Sequence, residues 1–546
     1  MRRAAGPCRA LNEGQGVSEI LGDQDETIAL LARPESYGLP ATTPVERIDT
    51  HGAIVFLAGD RAYKLKRAVR FSYMDFSTVE LRRRACEAEV TLNGRTAPRL
   101  YLEAAPVTRA SDGALCLGGR GETVDWVVVM RRFEQSQLFD RMAETGALTL
   151  EMVLDLAEVV VGFHDGLSPE PASGGLSGPS AVADSNALNL RLGIEKVFNS
   201  TQVERLVEQT EGSLTKNATL IESRRAGGKV RRCHGDLHLR NVCLFDGRPT
   251  LFDCVEFNAA LATVDVLYDL AFLLMDLWHR GLEGFANGAL NRYLDLAHED
   301  DGLGLLGLYM SLRAAIRAHV GAATLALQPV ETDRAVLAAM GREARAYLTL
   351  AERFLSPPRP RLVAIGGLSG SGKSTLAYGL APAIGAAPGA RVLRSDMLRK
   401  ELMGVPWREK LAEDGYGAEV TARVYASLAE RTVAALNAGQ AVIADAVFAR
   451  PEQRRAMAEL ARTAGVPFHG LWLEAPIATL ERRVASRQGD ASDADVAVLH
   501  RQLSYDLGPM EWTKIDVGAS PEAALAAAHA VLAAGQGRFN RSGPSR

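Results

Sequence analysis

The sequence predicts a two-lobed α+β unit, β-rich at its start and mostly helical after, followed by an α/β domain on a parallel sheet. Three observations carry this reading. Strand-like text is concentrated between Ala53 and Met130, and helical text dominates from Leu148. At 356–361 the chain reads SPPRPR, which cannot continue a helix and gives a stiff extended connector. Beyond it, short apolar runs at 362–365, 392–394, 441–444 and 470–473 alternate with helical stretches, the pattern of parallel strands joined by crossover helices.

The elements follow in order. Residues 1–27 are polar and Gly-rich and are expected to be loose. AIVFLAGDRAYKLKR, from Ala53, reads as a hairpin turning at 58–60. Residues 78–93 read as a helix, followed by strands near 99–103, 115–117 and 126–130. Strand-like pieces flank His234-Gly235-Asp236 and recur at 250–252. The expected organisation is a first domain at 28–355, a linker at 356–361, a second domain at 362–535 and a flexible tail at 536–546.

Composition excludes several classes. A length of 546 residues suits two or three domains, and 47% hydrophobic with 23% charged residues excludes long-range disorder. Sixty-two basic against 66 acidic side chains give a net charge of −4, which argues against a nucleic-acid partner. Arginine supplies nearly all the positive charge; there are nine lysines. The six cysteines all precede residue 255 without a Cys-x-x-Cys pair, so the expectation is a reducing cytosol. The N-terminus has no apolar signal core, and the longest apolar run, 267–277, contains Asp269 and Asp276 and is too short for a membrane span. It reads as a buried helix. No membrane partner is expected, and no oligomeric state is read from the sequence.

Gly367-Leu-Ser-Gly370-Ser371-Gly372-Lys373-Ser374 fits G-x-x-x-x-G-K-[ST] after a strand and before a helix. Such a loop turns successive N–H groups toward a phosphate chain at a helix N-terminus. Gly367, Gly370, Ser371, Gly372, Lys373, Ser374 and Thr375 are the expected nucleotide-binding set, with Lys373 on the terminal phosphates and Ser374 on Mg²⁺. Asp445, ending an apolar run, fits a carboxylate supporting Mg²⁺. Asp396, after the second strand, either activates an acceptor hydroxyl or caps a helix, and Arg399 is placed to hold an anionic substrate. Arg482 and Arg487 either stabilise the transferring phosphoryl group from a lid or belong to a solvated helix. These residues resemble the small P-loop kinases: gluconate kinase, chloramphenicol phosphotransferase, the zeta-toxin sugar-nucleotide kinases and the 5′-hydroxyl polynucleotide kinases. In that group the acid after the second strand commonly contacts or activates the acceptor hydroxyl, a role Asp396 would match.

In the first half, His234-Gly-Asp236-Leu-His-Leu-Arg-Asn241 is followed by a strand ending in Asp253. Asp236 fits the group that receives or orients an acceptor's proton, with Asn241 and Asp253 holding Mg²⁺ against the nucleotide. A zinc reading of Cys233, His234 and His238 lacks a second ligand pair at finger or ribbon spacing. The segment resembles the aminoglycoside phosphotransferase and choline kinase branch of the protein-kinase-like fold. That resemblance implies an N-lobe lysine paired with a helix glutamate: Lys64 with Glu87 is favoured, and Lys66 with Glu89 is the rival. It also implies an adenine-contacting hinge at 130–133 and a structural aspartate within Asp265-Val-Leu-Tyr-Asp269-Leu-Ala. YKLKRAVRFSYMDFSTVELRRRACE and HGDLHLRNVCLFDGRPTLFDCVEFN resemble a bacterial family that fuses such a domain to a C-terminal ATP-binding P-loop domain.

The expected function is therefore a bifunctional ATP- and Mg²⁺-dependent phosphotransferase acting on small-molecule hydroxyls. The alternatives are a regulator in which one domain binds ATP without catalysis, and a nucleic-acid end-processing kinase.

Overall fold

The computed structural model describes residues 19–20, 23–50, 52–71, 74–329, 331–486 and 492–539. They form two compact units. The first holds the described residues up to Arg141 with His234–Asp236 and Asn241–Ala262; the second holds Met142–Cys233, Leu237–Arg240 and the chain from Thr263.

The first unit opens with helix α1 (Asp25–Leu31). Its sheet comprises β1 (Val45–Asp49), β2 (Ala53–Ala58), β3 (Arg61–Lys66), β4 (Tyr101–Arg109), β5 (Leu115–Leu117) and β6 (Glu122–Arg131), in the order β1-β2-β3-β6-β4-β5. Every neighbouring pair is antiparallel. Alternation sends Ile54, Phe56, Tyr63, Leu65, Val127 and Val129 to one face, where Leu31 joins them. Leu57, Ala62, Val128 and Met130 pack on the other face with Cys86 of helix α2 (Val79–Asn93). Thr78 caps α2 by accepting from Leu81 N–H at 3.2 Å. A hairpin of β7 (Val242–Phe245) and β8 (Arg248–Leu251) completes the unit.

A loose start is expected through residue 27; residues 1–18 and 21–22 lie outside the described residues, and from residue 23 the chain is bonded into the unit. Gln24 donates to Lys66 O at 3.0 Å and to Asp125 Oδ2 at 2.7 Å, and accepts from Ala68 N at 2.8 Å. These bonds tie the start of α1 to the sheet.

The second unit begins with a helical lobe: α3 (Leu150–Asp165), α4 (Ser177–Leu192), α5 (Ser200–Ala226), α6 (Val266–His279), α7 (Glu283–Ala297), α8 (Leu306–Ala326) and α9 (Arg334–Leu355). The apolar run at 267–277 is α6, buried from Val266 to Trp278. Its two acids are satisfied: Asp269 meets His164 Nε2 at 3.1 Å, and Asp276 accepts from Leu239 N at 3.0 Å. No helix among the described residues is long and apolar enough to cross a membrane.

After α9 the linker residues 357–361 have no regular structure. The remainder alternates β9 (Leu362–Gly367), α10 (Lys373–Leu380), β10 (Arg391–Arg394), α11 (Ser395–Leu402), α12 (Ala418–Asn437), β11 (Val442–Asp445), α13 (Pro451–Thr463), β12 (Phe468–Glu474), α14 (Ile477–Ala485), α15 (Val496–Leu503), β13 (Thr513–Asp516) and α16 (Pro521–Phe539). The sheet is wholly parallel, in the order β10-β11-β9-β12-β13. Val363, Ile365, Val392, Ile443, Leu471 and Leu473 form its core with Leu376, Leu380 and Ala528. The closing helix runs to Phe539, past the boundary expected at 535, and residues 540–546 lie outside the described residues.

The helical lobe covers the open edge of this sheet. Asn287 and Asn291, one turn apart on α7, both donate to Ala390 O, at 3.0 and 3.1 Å. Asn291 Oδ1 accepts from Val392 N at 2.8 Å. Arg391 of β10 is 1% exposed and ion-pairs with Asp295 and Asp300, both at 2.6 Å. A strand edge that would otherwise be exposed is thus paired by side-chain amides.

Candidate functional site

In the P-loop segment β9 delivers the backbone to Gly367, and α10 starts at Lys373 behind Gly372. Gly370 has φ +81°, and a Cβ there would lie 2.6 Å from Leu480 O, so only glycine keeps this turn. Gln502 Oε1 accepts from Ser369 N at 2.8 Å, bracing the loop from α15. Lys373 Nζ donates to Leu368 O at 3.2 Å. Ser371 is buried within the loop, and Thr375 lies on the first turn of α10. The Ser374 hydroxyl donates to Asp445 Oδ2 at 2.6 Å, and Arg394 Nε lies 3.6 Å from the same oxygen. Burial raises the Asp445 carboxyl above its ordinary range, opposed by Lys373, Arg394 and the Ser374 hydroxyl. A buried carboxylate beside a hydroxyl at a phosphate loop is an oxygen donor set that fits Mg²⁺.

Asp396 sits in the first turn of α11, whose capping position is Arg394, so the helix-cap alternative for Asp396 is not realised. Arg399 is buried; it donates to Gly415 O at 2.8 Å and Thr421 Oγ1 at 3.2 Å, and its guanidinium lies 5.1 Å from the Tyr416 ring centroid. Its guanidinium thus holds the loop before α12. Arg482 is exposed on α14, and Arg487 lies outside the described residues.

The first unit brings its expected set together. Asn241 Nδ2 donates to Asp236 O and to Asp236 Oδ2, each at 2.9 Å. His234 Nδ1 accepts from Asp236 N at 3.3 Å, so its Nε2–H faces Phe252 O at 2.9 Å. Gly235 has φ +84°, and a Cβ there would meet Ala262 and Val255 at 3.0–3.1 Å. Asp253 N donates to Tyr101 OH at 3.1 Å, and Cys254 N donates to Asn93 Oδ1 at 3.0 Å. Asp253 itself has φ +59°, a left-handed conformation costing about 1–3 kcal/mol that this bonding sustains.

The ion pair differs from the favoured Lys64–Glu87. Glu87 is exposed and binds Arg83 at 2.8 Å. Glu89, fully buried, takes Lys64 at 2.8 Å on Oε1 and Lys66 on Oε2. Lys64 also meets Asp253 Oδ1 at 2.5 Å, and Lys66 meets Glu256. The inward stripe of α2 is Arg82, Ala85, Cys86, Glu89 and Asn93, and that helical period was the signal for Glu89 over Glu87. Glu256 was not anticipated; its cue was a lone acid in the otherwise apolar run Cys-Val-Glu-Phe.

Cys243 and Cys254 are buried, which pushes each thiol up to about 12, in keeping with packing rather than redox chemistry. Among the described residues, the only trio of metal-capable side chains brought together is buried His164, Cys233 and Asp269, not the Cys233, His234 and His238 set. There His164 is already held by Tyr293 OH at 2.8 Å and by Asp269, one of the two aspartates of the segment expected to carry a structural aspartate.

Comparison with known proteins agrees with both halves. Residues 78–304 match the phosphotransferase enzyme family, and residues 362–506 match an AAA domain family. Uncharacterized protein Rv2004c of Mycobacterium tuberculosis (strain H37Rv) is 31% identical over 472 residues, covering 84% of this chain and 90% of the relative. Uncharacterized protein Mb2027c of Mycobacterium bovis gives the same identity and coverage. Among solved structures, a choline/ethanolamine kinase family protein from Mesorhizobium loti aligns with 60% of this chain and 99% of its own (16% identity, TM-score 0.37). A gluconokinase from Sinorhizobium meliloti 1021 aligns with 34% of this chain and 98% of its own (23% identity, TM-score 0.25). The chain belongs to the family of these mycobacterial proteins, and joins a domain of the phosphotransferase enzyme family to a C-terminal domain that carries the phosphate loop and matches an AAA domain family.

Proposed function

We propose that the chain is a bifunctional ATP-dependent phosphotransferase, each domain transferring the γ-phosphate to a hydroxyl of a small molecule. The observation that carries this reading is that, among the described residues, each site sets a lysine beside oxygen donors suited to Mg²⁺. The first unit holds Asp236, Asn241 and Asp253 with a lysine, Lys64, bonded to Asp253 at 2.5 Å. The P-loop site holds Lys373 at the loop and Ser374 bonded to Asp445 at 2.6 Å.

In the first site Asp236 would be the acceptor-side base: its carboxylate, oriented by Asn241, takes the hydroxyl proton as the oxygen bonds to the γ-phosphorus and the bond to the β–γ bridging oxygen breaks, with ADP leaving. Asn241 and Asp253 would hold Mg²⁺, and Lys64 would turn from Asp253 to the nucleotide phosphates while keeping Glu89. In the second site the loop N–H groups and Lys373 would cradle the phosphates, Ser374 and Asp445 would hold Mg²⁺, and Asp396 would receive the acceptor proton. Arg482 and Arg487 are the proposed lid arginines. When bound, Mg²⁺ neutralises charge developing on the β- and γ-phosphates. The net charge of −4 supports small acceptors over nucleic acid.

The test is transfer from γ-labelled ATP into a small-molecule metabolite extract by the full chain. Lys373→Ala should remove one set of labelled products, Asp236→Asn a different set, and the double variant all of them. No product from the wild type, or products surviving in the double variant, would refute the reading.

A further inference from the structure

Five charged side chains form one row in the first unit: Asp253, Lys64, Glu89, Lys66 and Glu256. Side-chain exposure falls from 40% at Asp253 through 14% at Lys64 to 0% at Glu89, and stays at 3% for Lys66 and 6% for Glu256. The row is open at Asp253 and closed at Glu256. A single lysine–glutamate pair would need neither Lys66 nor Glu256.

We propose that Glu256 is a positioning residue that anchors Lys66 and so reserves Glu89 and Lys64 for the nucleotide. The proposal rests on the reading that Lys64 meets ATP phosphates, and it identifies Lys64, not Lys66, as the nucleotide lysine. Lys64 and Lys66 are two apart on β3, on the same face, and each takes one oxygen of Glu89. A buried ammonium requires a counter-charge. With Glu256 present, Lys66 has its own carboxylate and shares Glu89 evenly. Without it, Glu89 is the sole anion facing Lys66 in this row, and Glu89 is drawn away from Lys64. Lys64 then stays on Asp253, the carboxylate proposed to receive Mg²⁺. The aromatic face of Phe76, 5.2 Å from Lys66 Nζ, supports the cation without replacing a carboxylate.

The experiment uses the full chain carrying Lys373→Ala, which silences the second site. ATP·Mg²⁺ and adenosine each displace a fluorescent N-methylanthraniloyl-ATP probe, with thermal melting as the check on folding. Glu256→Gln should weaken ATP by about tenfold or more while adenosine, which has no phosphates, changes less than about twofold. Lys66→Met/Glu256→Met, which removes both ends of the closed pair, should return ATP affinity to within about threefold of the background. Should Glu256→Gln fold poorly, Glu256→Asp supplies the same comparison with a smaller expected loss. Parallel losses of ATP and adenosine would reduce Glu256 to a structural role and overturn the proposal, as would unchanged ATP affinity in Glu256→Gln. Absence of ATP binding in the Lys373→Ala background would instead overturn the underlying nucleotide-site reading, and the proposal with it.

Discussion

Glu87 and Glu89 stand two residues apart on α2, and the roughly 200° between them puts one in solvent and the other at the centre of a buried ion row. Motifs that are local in sequence, such as Gly367–Ser374 or Asp236 with Asn241, were legible because their geometry is set by a few adjacent dihedrals. Glu256 and Arg391 were not, since their partners lie 190 and about 91–100 positions away. His319 is another such residue. Its half-buried ring bonds Asn186 Oδ1 at 3.1 Å, and burial pushes its pKa down from 6.5 to about 4. The unfolded chain therefore binds this proton more readily, so the contribution is complete above pH 6.5 and is lost as pH falls toward 4. We expect chemical denaturation to show about 1–3 kcal/mol of lost stability across that window, absent in His319→Gln. An identical pH slope in the variant would contradict this.

At the scale of elements, the core strands of both sheets were readable, and so were the edge strands at 115–117 and 392–394, while the opposite edge of each sheet was not. LVAIGG is apolar throughout and VIAD is apolar up to its terminal Asp445, and both are fully buried, as central parallel strands must be. TKID and VERID each bury little, because an edge strand is half solvated and its composition resembles a loop. The P-loop is an element whose function rests on backbone conformation. Gly370→Ala should therefore distort the turn through its positive φ and the close Leu480 carbonyl. Calorimetric titration with ATP·Mg²⁺ should then fall from two binding sites toward one, the remaining site keeping its affinity. Two undiminished sites would show that the loop accommodates the methyl group.

At the scale of the molecule, the Pro-rich segment at 356–361 reads as a stiff connector between two domains, yet the helical lobe and the parallel-sheet domain form one compact unit. Arg391→Ala would leave buried Asp295 without its ion-pair partner and Asp300 with only Arg431 at 3.7 Å, at a cost of about 3–5 kcal/mol. We expect a lower melting temperature and faster proteolysis at the linker; an unchanged melting curve would mean that the contact contributes little. The sequence by itself determined the two fold classes, the order of the domains and the local phosphate and catalytic loops, since each depends on periodicity or on residues close along the chain. Tertiary structure alone decided that both lysines share Glu89, that Glu256 closes the ion row, and that α7 pairs the edge strand of the second domain. Those outcomes depend on which side chains share a buried space, and a charge removed from water takes whichever counter-charge folding brings to it.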